Sequence, residues 1–310
     1  MRKISVVTPT YNEEDNVVRL YDTVKEIFVE LGEYQYEHIF IDNCSEDNTI
    51  NILKDLAKVD SNLKIIVNSR NFGHIRSPYY GLLQASGDAV IFLVADFQDP
   101  PKMIKDFLEK WRDGFDIVIG VKKSSEELQL MFLIRKVYYY FVNKLSNIDL
   151  VNNFHGFGLY DRKVIDVLRG MNEPYPYFRG LISEVGFDRF EIEYDQLLRK
   201  EGATKNNFFT LYDIGVLGVV NHSKTPLRIV VLLGFLLSLI SIFIASTYFV
   251  LKILYWDSFT LGMAPIVIGI FFFSSVQLLF IGIIGEYIGS LHTYAQNRSL
   301  VVEKERVNFN

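Results

Sequence analysis

Three short segments hold most of the side chains able to do chemistry. They are Thr8-Pro9-Thr10-Tyr11-Asn12-Glu13-Glu14, Asp42-Asn43-Cys44-Ser45-Glu46-Asp47-Asn48-Thr49 and Asp96-Phe97-Gln98-Asp99-Pro100-Pro101. Each follows a short apolar run, and their order suits one site at one edge of a sheet, built from hydrogen-bonding and hard oxygen groups. Several members have a structural alternative. Asp42 suits a turn or helix cap as well as a pocket, and Ser45 and Asp47 suit capping of the helix that follows. Asp47 is read as structural, and Asp99, ahead of Pro100 and Pro101, sits where an N-cap belongs. Positive charge able to hold a phosphate comes from Lys122, Arg135, Arg199 and Lys205, with solvated surface charge as the alternative for all four.

The elements that must position these groups alternate along the chain. Strands are expected over residues 4–7, 38–41, 64–67, 89–94 and 117–119, and helices over 13–31, 47–57, 74–85 and 100–111. That rhythm predicts βαβ units and a mainly parallel sheet, whose ligands lie at the C-terminal strand ends. The segments to watch are therefore 8–14, 42–49, 68–73 and 95–101.

The chain has 310 residues, of which 49% are hydrophobic, 15% aromatic and 22% charged, with a net charge of −5. The apolar fraction excludes disorder, and Cys44 as the single cysteine excludes a disulfide framework. The acidic balance without a basic run argues against nucleic-acid binding. A mean hydropathy of +0.16 is high for a soluble enzyme, and the excess sits near the C-terminus. Residues 229–251 and 258–285 carry no charge, and each exceeds the roughly 20 residues that cross a bilayer core. They predict two transmembrane helices joined by a hairpin at 252–257, with Tyr255 and Trp256 suited to the headgroups. Lys205, Lys224, Arg228, Arg298, Lys304 and Arg306 flank the pair, while Lys252 alone lies between them. The positive-inside rule then puts both termini and the first 200 residues in the cytoplasm of a multi-pass inner-membrane protein. The apolar run at the N-terminus stops at Thr8-Pro9 and reads as a strand, not a signal peptide. Aromatic and basic residues over 128–145, and aromatic and aliphatic ones over 208–220, predict helices lying on the membrane surface. The domain expectation is a catalytic unit over 1–205, an amphipathic juxtamembrane segment over 206–226, two spans over 227–290 and a cytosolic tail over 291–310.

With the strand-end segments, Asn71-Phe72-Gly73, Arg179-Gly180-Leu181, Arg199-Lys200-Glu201-Gly202-Ala203-Thr204-Lys205, Ser223-Lys224-Thr225-Pro226-Leu227-Arg228 and the apolar hairpin in this order, the chain resembles the family 2 glycosyltransferases of the GT-A fold. Within these it is similar to the polyisoprenyl-phosphate glycosyltransferases, over nearly its whole length. The resemblance implies an α/β, Rossmann-like GT-A domain with amphipathic interfacial helices and a C-terminal two-helix transmembrane hairpin. It implies a nucleotide-sugar donor, with UDP favoured over GDP, and polyprenyl phosphate in the bilayer as acceptor. By the same resemblance Pro9, Tyr11, Glu13, Asp42 and Asn71 line the nucleotide pocket, and Asp96 with Gln98 holds Mg²⁺ or Mn²⁺ against the pyrophosphate. Among the cations, Arg135, set among aromatics in the expected interfacial helix, is read as the contact to the acceptor phosphate, Arg199 and Lys205 before the first span as closing over the donor pyrophosphate, and Lys122 as a further phosphate-binding candidate. A homotetramer is a further implication.

Three departures accompany the match. Asp42-Asn43-Cys44-Ser45 stands where the family usually has Asp-Asp-Gly-Ser, and Val94-Ala95-Asp96 replaces Asp-X-Asp. Asn153-Phe154-His155-Gly156-Phe157-Gly158-Leu159 replaces a segment often read Gly-Asp-Phe-Arg-Leu, so the proposed general base falls at Gly156. A sugar hydroxyl must lose a proton as it attacks, whereas a phosphate monoester already carries about 1.5 to 2 negative charges. The missing acid thus favours a phosphate acceptor, with His155 as a candidate substitute base. Two alternatives stand beside this reading: transfer to a sugar hydroxyl, and a catalytically silent nucleotide-sugar-binding scaffold.

Overall fold

The computed structural model describes residues 1–123, 151, 153–196, 223–255, 263–296 and 298–309. The βα alternation is realised as β1 (Lys3–Thr10), α1 (Val17–Leu31), β2 (Gln35–Asp42), α2 (Thr49–Val59) and β3 (Leu63–Asn68). It continues through α3 (Gly73–Gln84), β4 (Ala89–Phe92), α4 (Met103–Arg112) and β5 (Ile117–Lys122). Five elements beyond these were not foreseen: β6 (Gly158–Asp161), α5 (Arg162–Met171), α6 (Phe178–Glu184), β7 (Arg189–Tyr194) and β8 (Glu303–Val307). Between β7 and β8 lie two long apolar helices, α7 (Thr225–Leu254) and α8 (Met263–Ala295). The regions 128–145 and 208–220 expected at the membrane surface lie outside the described residues.

The eight strands form one sheet in the order β7-β5-β6-β4-β1-β2-β3-β8. Parallel pairing joins β1 to β2 and β4, β2 to β3, and β5 to β7, while β6 and β8 run antiparallel to their neighbours. The chain steps outward from β1 to β3 and then returns to place β4 on the other side of β1. That reversal is a topological switch point, where the loops after β1 and β4 part and leave a crevice. The expected tail instead supplies an edge strand. Glu303–Val307 pairs with β3, Ser69 N donates to Val302 O at 2.9 Å, and Asn308 Nδ2 donates to Ala57, Asp60 and Leu63 carbonyls. A run as charged as Glu-Lys-Glu-Arg-Val suits an exposed edge, which is why its apolar content gave no strand signal.

Alternation along each strand feeds two cores. Ile4, Val6 and Phe40 join a cluster with α1, α2 and α4, while Val7, Ile39 and Ile41 face α3, α5 and α6. Helices thus cover both faces, as a mainly parallel sheet requires. Besides Asp42 at its end, β2 carries two buried polar groups that interrupt this pattern. Glu37 is 1% exposed at the N-terminal end of the sheet, paired with Lys3 at 2.8 Å and Lys64 at 2.7 Å. It also accepts from Ser5 Oγ at 2.6 Å and Ser86 N at 2.8 Å.

His38, on the opposite face, has Nε2 3.0 Å from Thr8 Oγ1, and its buried Nδ1 has no partner. Burial pulls its pKa down to about 3. Below about pH 6.5 an unfolded chain takes up a proton that the folded His38 refuses, so stability is complete above that pH and falls as pH drops toward 3. Thermal unfolding of the full chain in detergent is expected to show about 2 kcal/mol less stability at pH 5 than at pH 7 from this group. His38→Gln should flatten that slope; an unchanged slope would assign it elsewhere.

Candidate active site

The C-terminal strand ends are built to be rigid. Thr10 and Asp42, the last residues of β1 and β2, lie opposite each other in register. The two loops that follow are stitched together. Asn12 N donates to Ser45 Oγ at 2.9 Å, Glu13 N to Thr49 Oγ1 at 2.9 Å and Glu46 N to Asn12 Oδ1 at 2.8 Å. Asp47 accepts from Glu14 N at 3.2 Å and Thr49 N at 3.0 Å, so it carries a structural role. Asn12, Cys44, Phe97 and Asn153 all have positive φ near +60° and all sit at this edge. Such backbone costs about 1–3 kcal/mol per residue and persists where the surroundings over-determine it, which is typical of functional sites. Phe97 is the most strained by size, and Arg19 holds it, with its guanidinium 4.3 Å from the ring centroid.

Asp42 has no exposed surface. It accepts from Ser45 N at 2.9 Å, Ser45 Oγ at 2.5 Å and Thr10 Oγ1 at 3.3 Å. Burial raises its pKa above the usual carboxylate range, against the pull of the Ser45 bonds. These bonds give Asp42 a turn-forming role at the end of β2. Asn71 is likewise built into the frame: its Oδ1 accepts from Asn43 Nδ2 at 2.9 Å and Gly73 N at 2.8 Å. Asn43 also donates to Gly73 O and accepts from Phe72 N and Asn68 Nδ2. Only an amide can do both, which accounts for Asn at 43 with Asn at 71.

Across the switch point, Asp96 and Gln98 share one turn. Asp96 Oδ1 accepts from Gln98 N at 3.1 Å, and Gln98 Oε1 accepts from Gln196 Nε2 at 2.9 Å. Pro9, near the end of β1, and Tyr11 and Glu13, on the loop that follows it, are half-buried, and Glu13 Oε2 accepts from Asn16 Nδ2 at 2.7 Å. Lys122 ends β5. Arg135, Arg199 and Lys205 lie outside the described residues.

Asp99 does not cap a helix. The residue before α4 is Lys102, and Asp99 is turned inward, fully buried, beneath the site. Tyr194 OH donates to Asp99 Oδ1 at 2.5 Å, and His155 Nε2 lies 2.9 Å from Oδ2. Burial pushes the Asp99 pKa up, but the bonds from His155 and Tyr194 and the Lys122 charge outweigh it and hold the carboxylate below its ordinary range. An ionised carboxylate only accepts, so His155 Nε2 donates in this contact, and its Nδ1 is buried without a partner. Tyr194 and Gln196 are the site neighbours the sequence reading missed: β7 does alternate, with Phe190, Ile192 and Tyr194 between charged residues, but only its parallel pairing with β5 brings its end to the site.

At the expected base position, Gly156 has φ +112°, and a Cβ there would lie 3.3 Å from the Phe92 ring. A Cβ on Gly158 would come 2.5 Å from Val118 O in the β5–β6 pairing. The two glycines and the backbone form a matched set. Gly156→Asp is expected to cost about 1–3 kcal/mol in thermal unfolding without raising turnover on any acceptor; a gain in turnover would restore that position as the base.

The sequence model of glycosyl transferase family 2 matches residues 5–169, the span that carries both strand-end carboxylate turns. The chain belongs to glycosyltransferase family 2. Its fold is GT-A-like, with the mixed, mostly parallel sheet described above. Full-length relatives agree with this membership. An uncharacterized glycosyltransferase of Synechocystis (sll0501) is 33% identical over 299 residues, 96% of this chain and 93% of that one. The uncharacterized glycosyltransferase YkcC of Bacillus subtilis is 33% identical over 96% of this chain and 92% of its own. The SfII prophage-derived bactoprenol glucosyl transferase of Shigella flexneri is 33% identical over 98% of each chain. Similarity to the family 2 relatives thus runs through α7 and α8, beyond the catalytic domain.

Proposed function

We propose that this chain transfers one hexosyl unit from a UDP-sugar to polyprenyl phosphate at the cytoplasmic face of a membrane, inverting the anomeric carbon. The observation that carries the reading is a strand-end carboxylate site joined to two helices whose apolar side chains point outward. α7 and α8 contain stretches, Thr225–Leu251 and Gly269–Ala295, long and apolar enough to cross a membrane. Leu232, Phe235, Phe243, Phe271, Leu278 and Ile281 are all exposed on them, a surface that water would penalise and lipid would not. The helices meet at Gly234 and Phe280, and Tyr287 OH donates to Ser223 O at 2.6 Å. A relative named for bactoprenol supports a lipid-phosphate acceptor.

The donor set at the β4 end suits a small divalent cation: one carboxylate and one amide oxygen, both hard, with further positions left for phosphate and water. Asp96 and Gln98 would hold Mg²⁺ or Mn²⁺, which neutralises the diphosphate as it leaves. Gln196 fixes the Gln98 amide, and the Thr10–Asp42–Ser45 turn with Pro9, Tyr11 and Glu13 seats the nucleoside. The acceptor phosphate attacks the anomeric carbon in line, and the nucleotide diphosphate leaves on the opposite face. No proton needs to move from the acceptor, consistent with a glycine at 156. Arg135, Arg199, Lys205 and Lys122 are the cations assigned to the two phosphate groups.

Purified full-length protein in detergent, given UDP- and GDP-sugars and undecaprenyl phosphate with and without Mg²⁺ or Mn²⁺, is expected to yield a metal-dependent glycolipid by mass spectrometry. Product only on a sugar hydroxyl would favour the second reading, in which His155 Nδ1, set by the Asp99 bond, takes the proton. Donor binding with no product on either acceptor would leave a silent scaffold.

A further inference from the structure

Next to the Asn43–Asn71 frame, where the chain after α8 returns to the sheet, lies a cluster of arginines. Arg70 and Arg76 gather there around Phe72, and Arg298 precedes the Ser299 carbonyl that Arg76 binds. The Arg70 guanidinium is 4.0 Å and that of Arg76 5.5 Å from the Phe72 ring centroid. Arg76 Nη2 donates to the carbonyl of Ser299, which ties α3 to the residue after Arg298. Arg70 Nη1 donates to Asn71 O at 3.0 Å, and the Nε–H of Arg76 is buried with no acceptor. Among the described residues no carboxylate lies within ion-pair distance of the three. Burial first, and then the charges of Arg70 and Arg298, lower the Arg76 pKa, as expected of cations crowded without a counter-ion.

A donor left unpaired in a cluster of like charges is an unfavourable arrangement unless an anion completes it. Guanidinium groups match phosphate oxygens in fork geometry. The position of the cluster selects the source of that phosphate. Arg298 follows the apolar stretch Gly269–Ala295 by three residues, and Tyr294 OH at the end of α8 donates to Glu173 Oε2 at 2.6 Å, fixing this junction against the domain. The junction therefore sits at headgroup level if α8 spans the bilayer, so the inference rests on the membrane reading above. The cluster also lies beyond β3, separated from β4 and Asp96 by β1 and β2.

We infer that Arg70, Arg76 and Arg298 bind the phosphodiester headgroup of an anionic membrane lipid, which docks the catalytic domain onto the bilayer beside α8. Basic side chains near an anionic surface contribute about fivefold each to lipid affinity, so three give roughly a hundredfold preference. The test is native mass spectrometry of the full chain with phosphatidylglycerol, phosphatidylcholine and inorganic phosphate. Wild type is expected to retain phosphatidylglycerol over phosphatidylcholine. The triple variant R70Q/R76Q/R298Q is expected to lose most of that preference, and Arg298→Glu, a change at an exposed side chain that the fold does not use, to lower it at least about fivefold. Arg112→Gln, on a distant exposed arginine, serves as the charge control. Equal retention of both lipids by wild type, displacement of phosphatidylglycerol by inorganic phosphate, or an unaltered preference in Arg298→Glu would overturn the inference. Lipid retention needs no turnover. A chain that prefers phosphatidylglycerol but makes no glycolipid refutes the function proposed above, whereas a chain that makes glycolipid without the preference refutes this site.

Discussion

Asp96→Ala is expected to lower glycosyl transfer by about two to three orders of magnitude while leaving expression, membrane insertion and thermal unfolding close to wild type. The asymmetry follows from where the side chain sits. Asp96 is half-buried on the turn after β4, where its Oδ1 accepts from Gln98 N at 3.1 Å, and it is a small side chain outside both hydrophobic clusters, so its truncation removes little packing. Charge at the leaving diphosphate, in contrast, develops mainly in the transition state, where a fixed cation and its carboxylate act most strongly. With Val94 in place of a second acid, no neighbouring carboxylate in the same motif takes over. Asp96→Asn should be nearly as inactive, because it keeps the shape and loses the charge. Steady-state transfer by both variants, beside their unfolding curves, decides the matter: turnover within about threefold of wild type would remove Asp96 from the reaction.

The largest expected effect on stability is at the other end of the sheet. Glu37→Ala should destabilise the folded chain by about 3–5 kcal/mol, because it strands Lys3 and Lys64 at a nearly closed site and leaves Ser5 and Ser86 without their acceptor. Burial alone would push the Glu37 pKa up; the two lysines, Ser5 and the Ser86 amide overcome it and bring the pKa down to about 2. The unfolded value lies near 4.3, so this contribution is complete above that pH and is lost as pH falls through about 2. Glu37→Gln should keep part of the hydrogen bonding, cost less than alanine, and abolish that acid-side loss. Trp111 fluorescence during unfolding in detergent reports both; a Glu37→Ala transition within about 0.5 kcal/mol of wild type would show that the network is not cooperative. Glu37 and His38 make adjacent residues of one strand respond to acid in the same direction, for opposite reasons: one gains by staying charged, the other by staying neutral.

What the sequence determined by itself is local and periodic. Apolar runs separated by turn residues were enough for β1 to β5 and α1 to α4, since a parallel sheet covered on both faces needs near-continuous apolar strands. Two uncharged stretches of membrane-spanning length were equally legible, because hydropathy alone marks them. Residue order placed Asp42 and Asp96 at strand ends, and chemistry made them site candidates. Tertiary structure decided which hydrogen-bond partners those polar groups find. Asp42 bonds locally to Ser45, a turn its sequence position allowed, whereas Asn71 meets Asn43, 28 residues earlier, across two loops, a contact that no sequence spacing reveals. Asp99 looked like a cap because two prolines follow it; it faces inward because Tyr194 and His155, 95 and 56 residues away, arrive through β7 and the lead-in to β6. The edge strand Glu303–Val307 is the same lesson in a charged segment: an edge needs backbone pairing more than apolar side chains, and its partner lies more than two hundred residues earlier. Long-range hydrogen bonds of this kind depend on the closed sheet, and only the folded chain brings their two halves together.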